Sequence, residues 1–375
     1  MIRGAVVIGG GGTAGHVLPG IAVARSLVLG GRPAGGVTFV GSSRGQEATL
    51  VPEAGFEVVL LPGRGIQRRL TLENVGAAWG IGRAIIRCIA LFGRTRPGVV
   101  VTLGGYASLA PMVAAVLWRV PIVVTEQNAR AGAANRIAGR FARACAVPFE
   151  GTDLPRATVT GNPVRPEILA IAEEPGGRAR ARAELGIEAD RRLIAVFSGS
   201  LGSRRINSAT AELAARWADR AEVVIHQVVG RRDFASAPRP DPAARPEIGL
   251  DWRVVEYENR MDLLLVAADV ALCRSGGSTV AELSAAGLPS VLVPLPIAPR
   301  DHQTANAEAL VAVGGAVVIA DGELDVDRLE AVMGPLLEAG GPLVEMSAAV
   351  RSLARPDAAD RVASLVERVA EVGVR

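Results

Sequence analysis

Lysine is missing from this chain altogether, so every one of its 41 strongly basic residues is arginine. Usage of this kind, beside abundant Ala and Gly, reads as a genomic codon bias. Acidic residues number 38, which leaves a formal charge of only +3. No arginine-rich run is interleaved with aromatics, so a nucleic-acid partner is not expected. Cysteine is scarce too. Cys88, Cys145 and Cys273 are scattered without a C-x-x-C, which argues for a reducing compartment and against disulfides or structural zinc. The chain also lacks an uncharged apolar span of membrane length. The best candidate, "VGAAWGIGRAIIRCIALFG" (75–93), carries Arg83 and Arg87 near its middle. "MIRGAVVIGG" runs straight into a strand pattern, so no secretory leader is expected.

Other absences concern chemistry. Without lysine there can be no Walker A loop. The only D-x-D, Asp325 to Asp327, looks like a helix start. No carboxylate pair follows a strand to chelate Mg²⁺, so neither a metal site nor a cofactor is expected. Charge leaving on a diphosphate would then be met by helix N-termini and arginine. Aromatics make up only 3% of the chain, whereas 49% is hydrophobic, a balance typical of parallel α/β sheets.

What is present is an alternation of short aliphatic runs with helical patterns. Strands are predicted at 4–9, 37–41, 57–61, 98–103, 120–125 and 143–147. The pattern loosens after Pro163 and restarts at 192–200, 221–230, 252–257, 269–273 and 289–294. At 375 residues two domains are the default. The chain therefore reads as two consecutive doubly wound α/β units with a hinge near 161–166, and 230–249 as a Pro-rich surface loop. Each unit opens with a strand delivering a glycine-containing turn to a helix start: "AVVIGGGGTAGH" and "IAVFSGSLGSRRIN". Ligands of such sheets bind at the carboxyl ends of the strands, near the point where strand order reverses. A cleft between the two units is the expected site.

The first turn matches G-x-G-x-x-G at Gly10, Gly12 and Gly15, a weak signal alone. A dinucleotide fold also needs an acid ending the second strand. Here "VTFVG" is followed by Ser42, Ser43 and Arg44, and Glu47 comes late, inside an apparent helix. An arginine there suits NADP, so an oxidoreductase stays open. Four glycines also permit backbone N–H groups to approach an anion at a helix start. His16 follows that loop, and imidazole is suited to proton abstraction near neutrality, although an isolated His is more often a core or cap residue.

Further polar clusters follow other strands. In "RSGGSTVAELSAAGLP" (274–289), Gly276 and Gly277 turn the chain, Ser278 or Thr279 starts a helix, and Glu282 lies one turn in. That helix start favours a diphosphate, and Glu282 can accept from a ribose diol or simply face the helix dipole. Ser200, Gly202 and Ser203 in "GSLGSRRIN" are offered to the same phosphates. Arg165 in "GNPVR" can hold phosphate bidentately or form a salt bridge. "TEQN" presents Glu126, Gln127 and Asn128; "GGYAS" presents Gly104, Gly105 and Tyr106; "DHQTANAEAL" presents His302, Gln303 and Asn306, an amide-rich set suited to sugar hydroxyls.

In this order and spacing, "GGTAGHVLPGIAVA", "TEQN", "GNPVR", "GSLGSRRIN", "CRSGGSTVAELSAAGLPSVLVPLP" and "DHQTANA" resemble the MurG family over essentially the whole chain. These are the UDP-N-acetylglucosamine (UDP-GlcNAc) transferases that complete lipid II. The resemblance implies a GT-B fold of two Rossmann-like domains. Residues 1–162 would face the acceptor and membrane, 163–355 would bind UDP-GlcNAc, and a helix at about 356–375 would pack back on the first domain. It implies metal-independent, inverting transfer to the 4-hydroxyl of lipid I at the cytoplasmic face of the cell membrane. The protein would sit there peripherally on anionic lipid, with cell-wall and division proteins as partners by analogy. Residue by residue, His16 is the first choice for the base and Glu126 the second. Thr13, Ala14 and Gly15 would lie beside the sugar nucleotide. Gly11, Gly12, Gly104, Gly105 and Tyr106 would form the acceptor and phosphate loops. Ser200, Arg165, Gly277, Ser278 and Thr279 would meet the diphosphate, and Glu282 the ribose. Glu258 and Met261 would meet the uracil, and Asn128, Gln303 and Asn306 the sugar. Family members often have glycine where this chain has Ala14, "SGAxT" where it has "SGGST", and a glutamine pair where it has His302-Gln303. Other enzymes of this fold, a 2-epimerase or a transferase to another acceptor, and a non-catalytic UDP-sugar binder remain as alternatives. In 75–93, Trp79, Ile85, Ile86, Ile89 and Phe92 lie among Arg83, Arg87 and Arg94, a pattern that fits an interfacial helix or a core-packed one.

Overall fold

The computed structural model describes residues 4–62, 72–240 and 247–373. Residues 241–246 of the Pro-rich stretch, and the side chains of 75–78 in the arginine-bearing helix, lie outside them. Two compact units emerge: Met1–Arg165 together with Arg355–Arg375, and Pro166–Ala354.

The first unit begins with β1 (Val6–Gly9), α1 (Ala14–Leu29), β2 (Val37–Ser42), α2 (Glu47–Glu53), β3 (Glu57–Leu61) and α3 (Leu72–Thr95). It continues with β4 (Val99–Thr102), α4 (Leu109–Leu117), β5 (Ile122–Thr125), α5 (Ala133–Phe141), β6 (Ala144–Val147) and β7 (Ala157–Val159). Runs such as Val-Val-Ile and Val-Val-Val are buried on both faces, because crossover helices cover both sides of a parallel sheet. Among the described residues the order is β3-β2-β1-β4-β5-β6-β7, parallel throughout. The order reverses between β1 and β4, so the loops after these strands flank the switch point.

The second unit runs α6 (Pro166–Glu173), α7 (Gly177–Glu184), β8 (Arg192–Phe197), α8 (Arg204–Arg216), β9 (Val223–Val228) and β10 (Asp251–Val255). Then come α9 (Met261–Ala267), β11 (Val270–Cys273), α10 (Gly277–Ala286), β12 (Ser290–Leu292), α11 (His302–Ala312), β13 (Ala316–Val318), α12 (Val326–Leu337) and α13 (Leu343–Ser352). Its sheet, β10-β9-β8-β11-β12-β13, is again parallel and reverses between β8 and β11. The chain then returns to the first unit as α14 (Ala358–Gly373). There Val362, Leu365 and Val366 join Val6, Ile8 and Leu27 in one core cluster.

The doubly wound α/β class expected from the sequence is what forms. Two strands escaped the pattern: β7, a three-residue edge strand exposed at every position, and β13, three residues long. Neither is long enough to give a periodic signal. The three thiols are buried and unpaired; burial pushes Cys88 up to about 12 and Cys145 to about 11, so neither is a ready nucleophile.

Candidate functional site

In the first unit, the residues singled out from the sequence gather at the carboxyl ends of three adjacent strands. After β1 the chain passes through Gly10, Gly11 and Gly12, all at positive φ (149°, 149° and 94°). The loop packs against the turn after β4: a Cβ on Gly105 would lie 2.9 Å from the Gly11 carbonyl oxygen, and one on Gly12 would lie 3.7 Å from the Tyr106 ring. Gly11 and Gly12 thus meet Gly105 and Tyr106, and Gly10 meets Gly104. Thr13 caps α1 through its carbonyl, which accepts from the N–H groups of His16 and Val17. Its hydroxyl instead lies 3.0 Å from His16 Nδ1. When Nδ1–H donates to Thr13 Oγ1, Nε2 is left with the lone pair of a base. Thr13 and Gly15 are exposed, and Ala14 and His16 half-buried.

The glycine loop differs from an open phosphate cradle in one respect. The Gly12 N–H donates to Glu47 Oε2 at 2.7 Å, so the donor an incoming phosphate would use is already taken. Glu47, set aside in the sequence because it comes late and within a helix, begins α2 and is 1% exposed.

Glu126, after β5, is equally committed. Its Oε1 accepts from Gln127 N, Asn128 N and Asn128 Nδ2, and its Oε2 from Gly132 N and Asn135 Nδ2, at 2.9–3.0 Å. Five donors on one buried carboxylate make it the organiser of the 126–135 loop and leave it poorly placed to take a proton. Asn128 is drawn into the same cluster. Asn135 also donates to Thr125 O. It was missed because a single asparagine within "AANRIAGRF" carries no periodic signal.

The second unit brings Ser200 after β8 and the 277–282 segment after β11 to neighbouring strand ends. The Ser200 loop is exposed, with Gly202 (φ 80°) donating to Gly199 O at 3.0 Å. Gly276 is the N-cap of α10, so the helix starts at Gly277 rather than at Ser278 or Thr279, which lie in its first turn. That turn holds no acidic residue, and Glu282 follows half-buried in the next. Arg274 ties the region together: its guanidinium donates to Ser203 Oγ, Val293 O and Pro294 O, and pairs with Asp321 at 2.7 Å. It too went unread in the sequence.

Gln303 and Asn306 face a structural task. Gln303 Oε1 accepts from Leu295 N, and the Gln303 carbonyl from Ser275 Oγ. Asn306 is fully buried and its amide donates to Ser275 O at 3.0 Å. Asn306, which the resemblance assigns to the sugar, thus holds the Arg274–Gly277 turn. Glu258, beyond β10, accepts from Arg260 N at 2.7 Å and lies 3.0 Å from His226 Nε2, a contact that becomes an ion pair only when the imidazole is protonated. Burial lowers the His226 pKa below its usual value, against the raising effect of Glu258. Met261 opens α9, half-buried, and Arg165 is the last residue of the first unit before α6. Among the described residues no three His, Cys, Asp or Glu side chains gather as a metal site.

Residues 6–147 match the glycosyltransferase family 28 N-terminal domain, and residues 193–362 match the glycosyltransferase family 28 C-terminal domain. The UDP-N-acetylglucosamine--N-acetylmuramyl-(pentapeptide) pyrophosphoryl-undecaprenol N-acetylglucosamine transferase of Acidothermus cellulolyticus is 38% identical over 366 residues, which cover 97% of this chain and 98% of that one. The chain belongs to the MurG family. The Streptomyces coelicolor protein of the same description is 37% identical over 96% of this chain and 95% of its own. In structure, Acinetobacter baumannii MurG aligns with a TM-score of 0.71 at 26% identity, covering 97% of this chain and 99% of that one. A UDP-GlcNAc 2-epimerase from Neisseria meningitidis shares the fold at a TM-score of 0.63 but only 14% identity, over 97% of this chain and 99% of that one. MurG-family membership accounts for the repeated strand–glycine turn–helix plan, which in this chain puts the glycine loop and His16 in one unit and the α10 helix start in the other.

Proposed function

We propose that this protein transfers N-acetylglucosamine from UDP-GlcNAc to the 4-hydroxyl of undecaprenyl-diphospho-N-acetylmuramoyl-pentapeptide, with inversion at the anomeric carbon. The observation that carries this reading is full-length likeness to transferases of that description, joined to an imidazole held by Thr13 at the strand-order switch point of the first unit. The acceptor oxygen forms its bond to the anomeric carbon as the bond to UDP breaks, and UDP leaves with the electron pair. The hydroxyl proton passes to His16 Nε2. Glu126 serves by shaping the loop that carries Asn128. The α10 helix start, with Ser200 and Arg165, meets the negative charge growing on the departing diphosphate. Glu282 holds the ribose diol, and the backbone around Glu258 with Met261 meets the uracil.

The same reading places the protein on the cytoplasmic face of the membrane. No described helix is long and apolar enough to cross a bilayer. In α3, Phe92 is fully buried, and Ile85 and Ile89 pack against the core, which removes them from any lipid-facing stripe. Trp79 (71% exposed) and Ile86 (68%) remain outside, beside exposed Arg83 and Arg87. An apolar pair flanked by arginines on one helix face suits anionic lipid. Binding to vesicles containing anionic lipid should weaken in the Arg83→Glu/Arg87→Glu protein; unchanged binding removes this surface from the proposal.

The deciding experiment measures UDP release from UDP-GlcNAc with a soluble lipid I analogue and EDTA, in the wild type and His16→Ala. Acceptor-dependent turnover that survives EDTA and falls at least ~100-fold in the variant supports transfer with His16 at the chemistry. UDP release that ignores the acceptor overturns the assignment.

A further inference from the structure

The carboxylate of Glu47 is enclosed by the first unit more tightly than its place in the sequence foretells. Its Oε2 accepts from Gly12 N and its Oε1 from Ser42 N, both at 2.7 Å. A Cβ added at Gly11, Gly41 or Gly45 would collide with this carboxylate from three directions. Of these, only Gly11 needs its glycine for backbone reasons, since only it has positive φ. Gly41 and Gly45 are not at positive φ, and the three atoms nearest an added Cβ at either belong to the Glu47 side chain. One carboxylate therefore crowds Gly41 and Gly45 after β2 as well as Gly11 after β1.

The consequence lies at Gly12, the residue before Thr13. Three successive positive-φ glycines have no intrinsic preference for the path they follow, so something must select it. A buried anion bonded to the last of them does so. The path then delivers Thr13 as the cap of α1, with its hydroxyl 3.0 Å from His16 Nδ1. We propose that Glu47 is a positioning residue for the transfer reaction, a fixed internal anion that seats the glycine loop and thereby aims the Thr13–His16 pair. The inference rests on the reading of His16 as the base. It adds that the loop is closed by the protein's own carboxylate while the acceptor reacts.

Glu47→Gln is the informative change. It keeps the shape of the side chain but turns one oxygen into an NH₂ group facing an N–H donor, which the loop cannot accommodate unmoved. We expect kcat to fall by roughly tenfold or more while KM for UDP-GlcNAc stays within about twofold, the signature of misaimed groups rather than lost donor binding. The ring signals of the three histidines supply a readout free of turnover. His16, identified by its loss in His16→Ala, should shift in Glu47→Gln, while His226 and His302 stay in place. Gly45→Ala attacks the same carboxylate from outside the loop and should reproduce both effects. Gly45→Ala/Glu47→Ala should be no worse than Glu47→Ala alone, because the added Cβ then has nothing to strike.

Wild-type kcat with an unmoved His16 signal in Glu47→Gln and Gly45→Ala would overturn the proposal. So would parallel movement of all three histidine signals, which reports general loosening. If wild-type protein shows no acceptor-dependent transfer, the assigned reaction falls, and the His16 signal still decides whether Glu47 seats the loop.

Discussion

Asn135 Nδ2 donates to Glu126 Oε2 at 3.0 Å and to Thr125 O at 2.9 Å, so one amide joins the end of β5 to the first turn of α5. Removing the carboxylate leaves this amide only Thr125 O and takes the acceptor from the half-buried Gly132 N–H. Glu126→Ala should lower the unfolding free energy by about 1–3 kcal/mol, the cost of unsatisfied buried donors. Chemical denaturation measures it. Glu126→Gln should slow acceptor-dependent turnover far less than His16→Ala does; an equal or deeper loss would return Glu126 to the role of base.

The Thr13 hydroxyl is the hydrogen-bond partner of His16 Nδ1. Thr13→Val removes that partner and should lower kcat by roughly 3- to 30-fold, less than the about 10²–10⁴-fold of a lost general base, while Thr13→Ser retains most of the activity. Equal loss in both would mean that the Thr13 methyl group, rather than the hydroxyl, matters.

Gly202 is held at φ 80° with its Cα facing Val229 O, so any Cβ there collides with backbone. Gly202→Ala should cost about 1–2 kcal/mol locally and displace the Ser200 loop. Titration should show weaker UDP binding by the variant, with the signal of His16, the histidine of the first unit, unchanged.

Acid should weaken the second unit through His226. Burial, the leading cause, holds its folded pKa below the usual 6.5. The unfolded chain therefore takes up a proton at this residue before the folded one does. Stability is fully present above about 6.5 and declines as pH falls from there through the folded pKa. His226→Gln should flatten that decline in thermal melts recorded from pH 7 to 5.

The two-unit plan was legible because buried parallel strands read as uninterrupted aliphatic runs, and the glycine turns repeat at both unit openings. His16, Ser200 and Glu282 were legible by position, since each follows a strand end by a few residues. Glu47, Asn135 and Arg274 were not. Their partners lie 35, 10 and 71 residues away, at Gly12, Thr125 and Ser203, and no local spacing encodes such pairings. The burial of Asn306 was not legible either. An amide near a helix start looks alike whether it faces solvent or, as here, the interior.

The seam between α1 and α14 also bears on how the protein is made. Ser26 Oγ donates to Asp360 Oδ1 at 2.5 Å, and Arg32 grips Glu367 through two nitrogens at 2.7 and 2.5 Å. The helix beneath these contacts fills the core under β1 and β4, yet it is synthesised after all of 166–354. On the ribosome the first unit must therefore wait, its core unfinished, while the second emerges whole and folds. The half of the protein made first is completed last.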